Sequence, residues 1–424
     1  MNVADSHNSR GIGVVMQAQQ KKNLKTFVGD VIRWNLRGSL GFQLFRIVLF
    51  GFMGLGIYAY SFQARYGLSV TGMNDVVSWG FYISNFTFLV GVAAAAVMLI
   101  LPAYIFHDPG FHRVVIIGEG VAVGAIVMCL SFIMVDLGGP LQAWHLIPGI
   151  GLFNFPSSIL AWDVLVLNGY LLLNALVPAY ILYSHYMGRK ANERLYRPFV
   201  FLSIFWAFSI HMVTAFLYQG LPARPFWNNP LMGPRFLASA FAAGPALITL
   251  ILAVIHSSTT YKIEKNVFNK LRLIIVISAI INLIMLFSEI FKEFYFPTHH
   301  SISAVYLFFG LDGHNSLVPW IWTSVCVNFM ATLVLAFNPG KNNPKVLLPA
   351  CFFLFVAIWM EKGIGLIVPG LIPSPLGEVV DYLPTWVELC VTLGIFALGI
   401  TVVTWLVRAA LIIEQDYSGI QESE

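Results

Sequence analysis

Hydrophobic residues in this chain come in long unbroken runs. They do not alternate as in a strand, and they do not form the narrow stripe of a soluble helix. Runs of about 20 residues, the length that crosses a hydrocarbon core, lie at 44–64, 78–104, 114–135, 158–184, 198–219, 235–256, 270–290, 316–337, 346–368 and 386–412. With no water available, each run must satisfy its own backbone, so each is expected to be a helix. A barrel needs alternating segments of about ten residues, and these runs are continuous. The pattern predicts an all-α integral membrane protein with about ten transmembrane helices.

Three regions follow: a basic segment at 1–43, a ten-helix membrane domain at 44–412 and a short acidic tail at 413–424. The first segment shows no early apolar run with a cleavage site, so no signal peptide is expected. Within it Leu24, Phe27, Val28, Val31 and Trp34 repeat at helical spacing among Lys21, Lys22, Lys25, Arg33 and Arg37. This predicts an amphipathic helix in the bilayer interface, or else a basic tether that only sets topology.

Lys and Arg favour one side of the membrane. Arg113, Arg189, Lys190, Arg194, Arg197, Lys262, Lys265, Lys270, Arg272, Lys341 and Lys345 fall on the side of the first segment. The other side holds Arg65, Arg224, Arg235, Lys292 and Lys362. Both termini are therefore expected in the cytoplasm, with the chain in the cytoplasmic (inner) membrane. Composition agrees: only 10% of residues are charged, against about 25% in a soluble domain. The net charge of +4 is this topology signal and does not suggest nucleic acid. Cys129, Cys326, Cys351 and Cys390 stand singly in apolar runs, so this chain is expected to hold neither an iron–sulfur cluster nor structural zinc.

The expected outer loops are the longer ones, rich in Gly, Pro and Trp, which makes that face the expected working face. One internal echo exists: Gly72-x-Asn74-x-x-Val77-x-Trp79 recurs as Gly313-x-Asn315-x-x-Val318-x-Trp320. A duplication and a shared membrane-entry motif both account for it.

A carboxylate in hydrocarbon costs roughly 2.5–3.5 kcal/mol even on the lenient insertion scale, and Asp163 sits inside the fourth run. At 1.5 Å per residue it lies roughly 7–8 Å below the outer boundary. Tyr170 and Asn174 share its face, and Pro178 is expected to interrupt the helix and free a carbonyl. The set suggests a proton acceptor with a polar path behind it; the alternative is a polar contact that glues helices. His211, at similar depth in the fifth run, is a candidate partner, with Thr214 and Tyr218 on its face. His145 lies in the loop above. Arg235 and Arg224 are candidates to neutralise Asp163 or Asp136, or to hold an acidic partner, and Arg224 is equally a solvated loop charge. Glu119, near the inner end of the third run, is a candidate far end of a proton path. Glu361 and Lys362 are expected to neutralise each other, and Glu289 and Glu388 mark outer ends. His185 and His256 leave one haem b near the inner surface open, though interfacial histidines are favoured.

Phosphate loops, HExxH and a nucleophile elbow are absent where they would have to be. The candidates best suit an apolar ligand with a proton-exchanging head, such as a quinone. Asp163 and His211 are the catalytic candidates. His145, Asp163, His211, Tyr218 and Arg235 are the quinone-binding ones, and Glu119, Tyr170 and Asn174 the proton path.

The stretches "YGLSVTGMNDVVSWGFYISNFTFLVG", "PGIGLFNFPSSILAWDVLVLNGYLLLN" and "QGLPARPFWNNPLMGPRFLASAFAAGPAL" resemble the NrfD/PsrC family of polysulfide-reductase membrane subunits. More narrowly they resemble its ten-span DsrP/HmeB branch in sulfur metabolism. The likeness is specific from the second to the sixth run, looser afterwards, and missing from the first forty residues. It implies a menaquinone-reactive subunit of an oxidoreductase complex, inactive alone, with menaquinone bound near the outer leaflet. It implies a periplasmic ferredoxin-like iron–sulfur subunit and, in the narrower branch, a multihaem cytochrome c, a b-type cytochrome and a cytoplasmic iron–sulfur subunit. The family's acid of the fourth span matches Asp163. Its commonly basic DxGRP turn reads "DLGGP" here, with Gly139 in the basic position, which leaves Asp136 without that partner. A proton-coupled transporter and a structural anchor for redox subunits remain the rival classes.

Overall fold

A computed structural model describes residues 22–147, 149–337 and 343–421. Lys21, Lys341 and the last residues of the acidic tail lie outside them. The described residues form helices with no strand. Ten helices are long and apolar enough to cross a membrane: Leu40–Val70, Phe81–Ile105, Pro109–Asp136, Ile159–Tyr186, Glu193–Gln219, Met232–Ser258, Lys265–Tyr295, Val318–Phe337, Pro344–Leu371 and Trp386–Gly419. They match the ten runs one for one and are called the first to tenth spans.

Short polar side chains start several of them, since the first N–H groups of a helix need acceptors. Asp108 accepts from Gly110 and Phe111 at the third span, Ser158 from Ala161 at the fourth and Asn343 from Lys345 at the ninth. The second and third spans are the most deeply buried, and the first is the least. The first span packs on the tenth where Gly56 meets Gly394; a Cβ at Gly56 would lie 2.8 Å from the Gly394 Cα. Glycine is required there because two backbones touch, the usual device of membrane helices. The rest of the first span shows Leu44, Ile47, Val48 and Ile57 to the outside.

Hydrogen bonds tie the span ends into two faces. At the basic end Tyr186 donates to Asp30, Lys22 to the Tyr186 carbonyl and Tyr261 to the Arg113 carbonyl. At the loop-rich end Glu388 accepts from the backbone of Gly72 and Thr385 and from the Tyr382 hydroxyl. Helix Leu24–Leu36 packs at the basic end against the tenth and fourth spans. Its apolar stripe divides in two. Phe27 packs edge-on against Tyr183 and Tyr186, each at 5.4 Å, while Leu24, Val28, Ile32 and Leu36 face outward.

Three features differ from the sequence pattern. Pro178 does not interrupt the fourth span, which stays helical through Tyr186; the missing N–H leaves the Asn174 carbonyl without its usual donor. The ninth span, a single run by hydropathy, breaks at Gly363 into Pro344–Lys362 and Ile364–Leu371. Side chains from other elements hold the broken helix: Trp320 donates to the Met360 carbonyl, Trp227 to that of Leu366 and Arg224 to that of Leu371, at 3.0, 3.0 and 2.8 Å. The loop before the eighth span contains a helix, Ile302–Phe309, too short to register in a hydropathy scan. The two glycines of the echo serve different ends. A Cβ at Gly72 would strike the Leu383 carbonyl, whereas Gly313 has open space and a φ of +87°. Only its tryptophans act alike, in that Trp79 and Trp320 both pack against other aromatics, Trp227 and Trp359.

Candidate functional site

Ser158 caps the fourth span, so Asp163 follows just over one turn inside it. Its side chain is 0% exposed. The Thr214 hydroxyl of the fifth span donates to Oδ1 at 2.8 Å, and Oδ2 has no protein partner. Among the described residues no cation pairs with Asp163. His211 lies one turn before Thr214 and is equally buried. Its Nδ1 donates to the Ala207 carbonyl at 3.0 Å, and Nε2 is unpartnered. Thr214 thus ties the fifth span to Asp163, with His211 one turn away along the same span, and no hydrogen bond joins the acid to the imidazole.

One turn further, the Tyr218 hydroxyl hydrogen-bonds the Thr87 hydroxyl of the second span. The Tyr218 ring packs against Trp79, Trp227 and Phe236 at 5.9, 5.4 and 6.1 Å. Trp79 is the part-exposed member of this aromatic set. The sequence marked Trp79 only as a membrane-level anchor and did not mark Trp227.

The remaining path candidates are all interior. Tyr170, Asn174 and Glu119 are 0%, 2% and 3% exposed. The Tyr170 hydroxyl, Asn174 Oδ1 and Glu119 Oε2 each lack a protein partner. Buried polar atoms are nearly always hydrogen-bonded, so such a run is a place for water.

Arg235 does not join Asp163. It opens the sixth span and lies between Glu289 of the seventh and Glu361 of the ninth, 2.5 Å from the latter. Glu361 also accepts from Asn328 at 3.4 Å, and Glu289 from Asn229 at 2.8 Å. Glu361 and Lys362 form no direct ion pair, because adjacent helical residues point apart; the Lys362 ammonium lies over the Phe236 ring at 4.8 Å. Arg224 is not a free loop charge, since it donates to the Leu371 and Pro373 carbonyls. His145 stacks on Trp144, and its Nδ1 accepts from the Leu152 N–H at 3.3 Å, so it is held within its own loop. Asp136 keeps an unpartnered, buried Oδ1.

At the basic end His185 pairs with Glu414 at 2.7 Å and stacks on Tyr417, while His256 accepts from Ile263 at 3.1 Å. Both rings thus have one nitrogen engaged. Among the described residues no group of His, Cys, Asp and Glu is placed to hold a metal ion.

Comparison with known proteins agrees with a membrane protein. Over most of its length the chain resembles a putative membrane subunit of dimethyl sulfoxide reductase from Halobacterium salinarum, 23% identical across 87% of this chain and 89% of that one. A selenate reductase subunit from Mesobacillus selenatarsenatis is 21% identical across 68% and 73%. The probable Ni/Fe-hydrogenase 2 b-type cytochrome subunit of Escherichia coli is 24% identical across 80% and 84%. The model of the family described as polysulphide reductase, NrfD, matches residues 69–372, a stretch that includes Asp163, His211, Arg235 and Lys362. The chain is a multi-pass membrane protein of the polysulphide reductase NrfD family, which supplies membrane subunits to redox complexes.

Proposed function

We propose that this chain is the quinone-reactive membrane subunit of a respiratory redox complex, and that Asp163 is its proton acceptor. One observation carries the assignment. A fully buried carboxylate has one oxygen on a neutral hydroxyl, the other free and no cation beside it. An acid so placed serves proton exchange better than it serves structure, because no cation stabilises its charge. The head group of menaquinone is assigned to the loop-rich end, against Trp79 and Tyr218. Asp163 is sealed, so protons reach it through Thr214 and Tyr218, or the ring reaches it when a side chain yields. His211, with a free Nε2, is the second hydrogen-bonding group of this region. Electrons pass to or from an iron–sulfur subunit docked on the same end. The names of the relatives support a place in a reductase complex. The unpartnered groups of Tyr170, Asn174 and Glu119 favour a second proton route toward the basic end.

The test is Asp163→Asn in the assembled complex. Quinol turnover is expected to fall about 100-fold or more, within the range for loss of a general acid–base group, with assembly intact. Unchanged turnover with intact assembly removes Asp163 from the mechanism and favours a structural anchor.

A further inference from the structure

Lys362 is a buried charge that the proposed function leaves unused. It ends the first half of the broken ninth span and is 5% exposed. Among the described residues no carboxylate lies within ion-pair distance of its ammonium and no hydrogen bond reaches it. A buried charge without a direct partner is costly unless water solvates it.

Three cavities flank it. One, of about 50 Å³, is lined by Lys362, Arg235, Glu289, Glu293 and Glu361 together with apolar side chains such as Phe226. It faces the loop-rich end, where the side chains of Glu289 and Glu293 keep 17% and 18% of their exposure. A second, of about 40 Å³, shares Lys362, Arg235, Glu289 and Glu293 with it and adds Asn229. The third, of about 10 Å³, lies between the second, sixth and ninth spans and is lined by Lys362, Thr87, Ser239 and Phe236. At roughly 10–15 Å³ per water, the first two hold about three waters each and the third about one. A dry cavity of roughly 150 Å³ is what admits benzene, so even the first two spaces taken together are too small for a quinone ring.

Charge narrows what moves through them. Arg235 and Lys362 balance Glu289 and Glu361, and Glu293 pairs with Lys292 at 3.2 Å. An added anion would meet three carboxylates, and a metal ion would meet two cations. A proton is the species that fits. Thr87 then supplies the link toward the acid: it lines the smallest cavity, and its hydroxyl, which donates to the Ile83 carbonyl, is also bonded to Tyr218, one turn from the Thr214 that holds Asp163.

We propose that Lys362 is a proton relay between Asp163 and the loop-rich face. Its ammonium gives one proton to the waters beside Arg235, Glu289 and Glu361, and the neutral amine takes one back through the Thr87 and Tyr218 hydroxyls; in the reverse direction the steps invert. The break at Gly363 places the amine there, as broken membrane helices do at ion sites. The proposal rests on Asp163 as proton acceptor.

The experiment compares Lys362→Met, Lys362→Arg and Asp163→Asn in the assembled complex in vesicles, following quinol turnover. Arginine keeps the charge but does not release its proton, so K362R and K362M are both expected to lose about tenfold or more in kcat at unchanged KM. Methylamine is expected to restore part of the K362M activity, which a purely structural lysine would not allow. Wild-type turnover in K362R overturns the relay, including the case in which K362M fails to assemble. If D163N abolishes turnover while K362R does not, the relay alone fails. If D163N keeps full turnover, the role of Asp163 as proton acceptor fails and the relay with it.

Discussion

Asp163 and Glu361 are both acids buried between membrane helices, and the protein treats them in opposite ways. Glu361 has a guanidinium at 2.5 Å and an amide at 3.4 Å. Asp163 has one hydroxyl and no cation. A paired charge is fixed, because moving its proton would undo a strong contact. An unpaired one is free to change state. The difference teaches that depth alone does not mark a proton-handling acid; the absence of a counter-charge does.

The sharpest way to break this comparison is Arg235→Met. It leaves Glu289 and Glu361 uncompensated and is expected to cost about 3–5 kcal/mol of stability, read as a lower midpoint of thermal unfolding in detergent. The double variant R235M/E361Q should recover part of that loss. An unaltered midpoint in R235M would show that the pairing does not hold this end together. Asp163→Asn is expected to do the reverse, removing turnover while shifting stability by less than about 1 kcal/mol.

Thr214→Val comes next. It removes the hydroxyl donor to Asp163, a bond to a charged group worth roughly 1.5–3 kcal/mol. Turnover should fall about tenfold or somewhat more, with a displaced pH profile. A turnover and profile equal to wild type would mean that Thr214 does not tune the acid.

The smallest effect is expected at the basic end, at an acid outside the spans. The Lys270 hydrogen bond, followed by the N–H groups of Phe111 and Gly110, holds the Asp108 carboxyl below its ordinary value, against the opposing effect of burial. A depressed folded value stabilises the protein above the unfolded value, and that contribution fades as pH falls through the folded one. Below about pH 4 the midpoint should therefore drop slightly, and Asp108→Asn should flatten that slope. A slope identical in both proteins would argue against it.

Much of the molecule was legible in the sequence because bilayer physics leaves few options. All ten spans follow from run length, and the buried acid at Asp163, its face-mates Tyr170 and Asn174, and the face shared by His211, Thr214 and Tyr218 follow from helical period. Partner choice was not legible. Arg235 was a candidate for Asp163 and went to Glu289 and Glu361, and Arg224 caps a broken helix. A one-dimensional depth estimate ranks residues along the membrane normal but says nothing about rotation around it. The ninth-span break was hidden for a related reason, since Gly363 adds nothing to hydropathy and its replacement donors, Trp320, Trp227 and Arg224, are distant in sequence.

The sequence by itself determined that ten helices form, that they are apolar on most sides and that a few charges are buried among them, because backbone hydrogen bonding in hydrocarbon has only local solutions. Tertiary structure alone decided which charges meet. Lateral packing sets the azimuth of each helix, and that azimuth left Asp163 without a cation and gave Arg235 two acids.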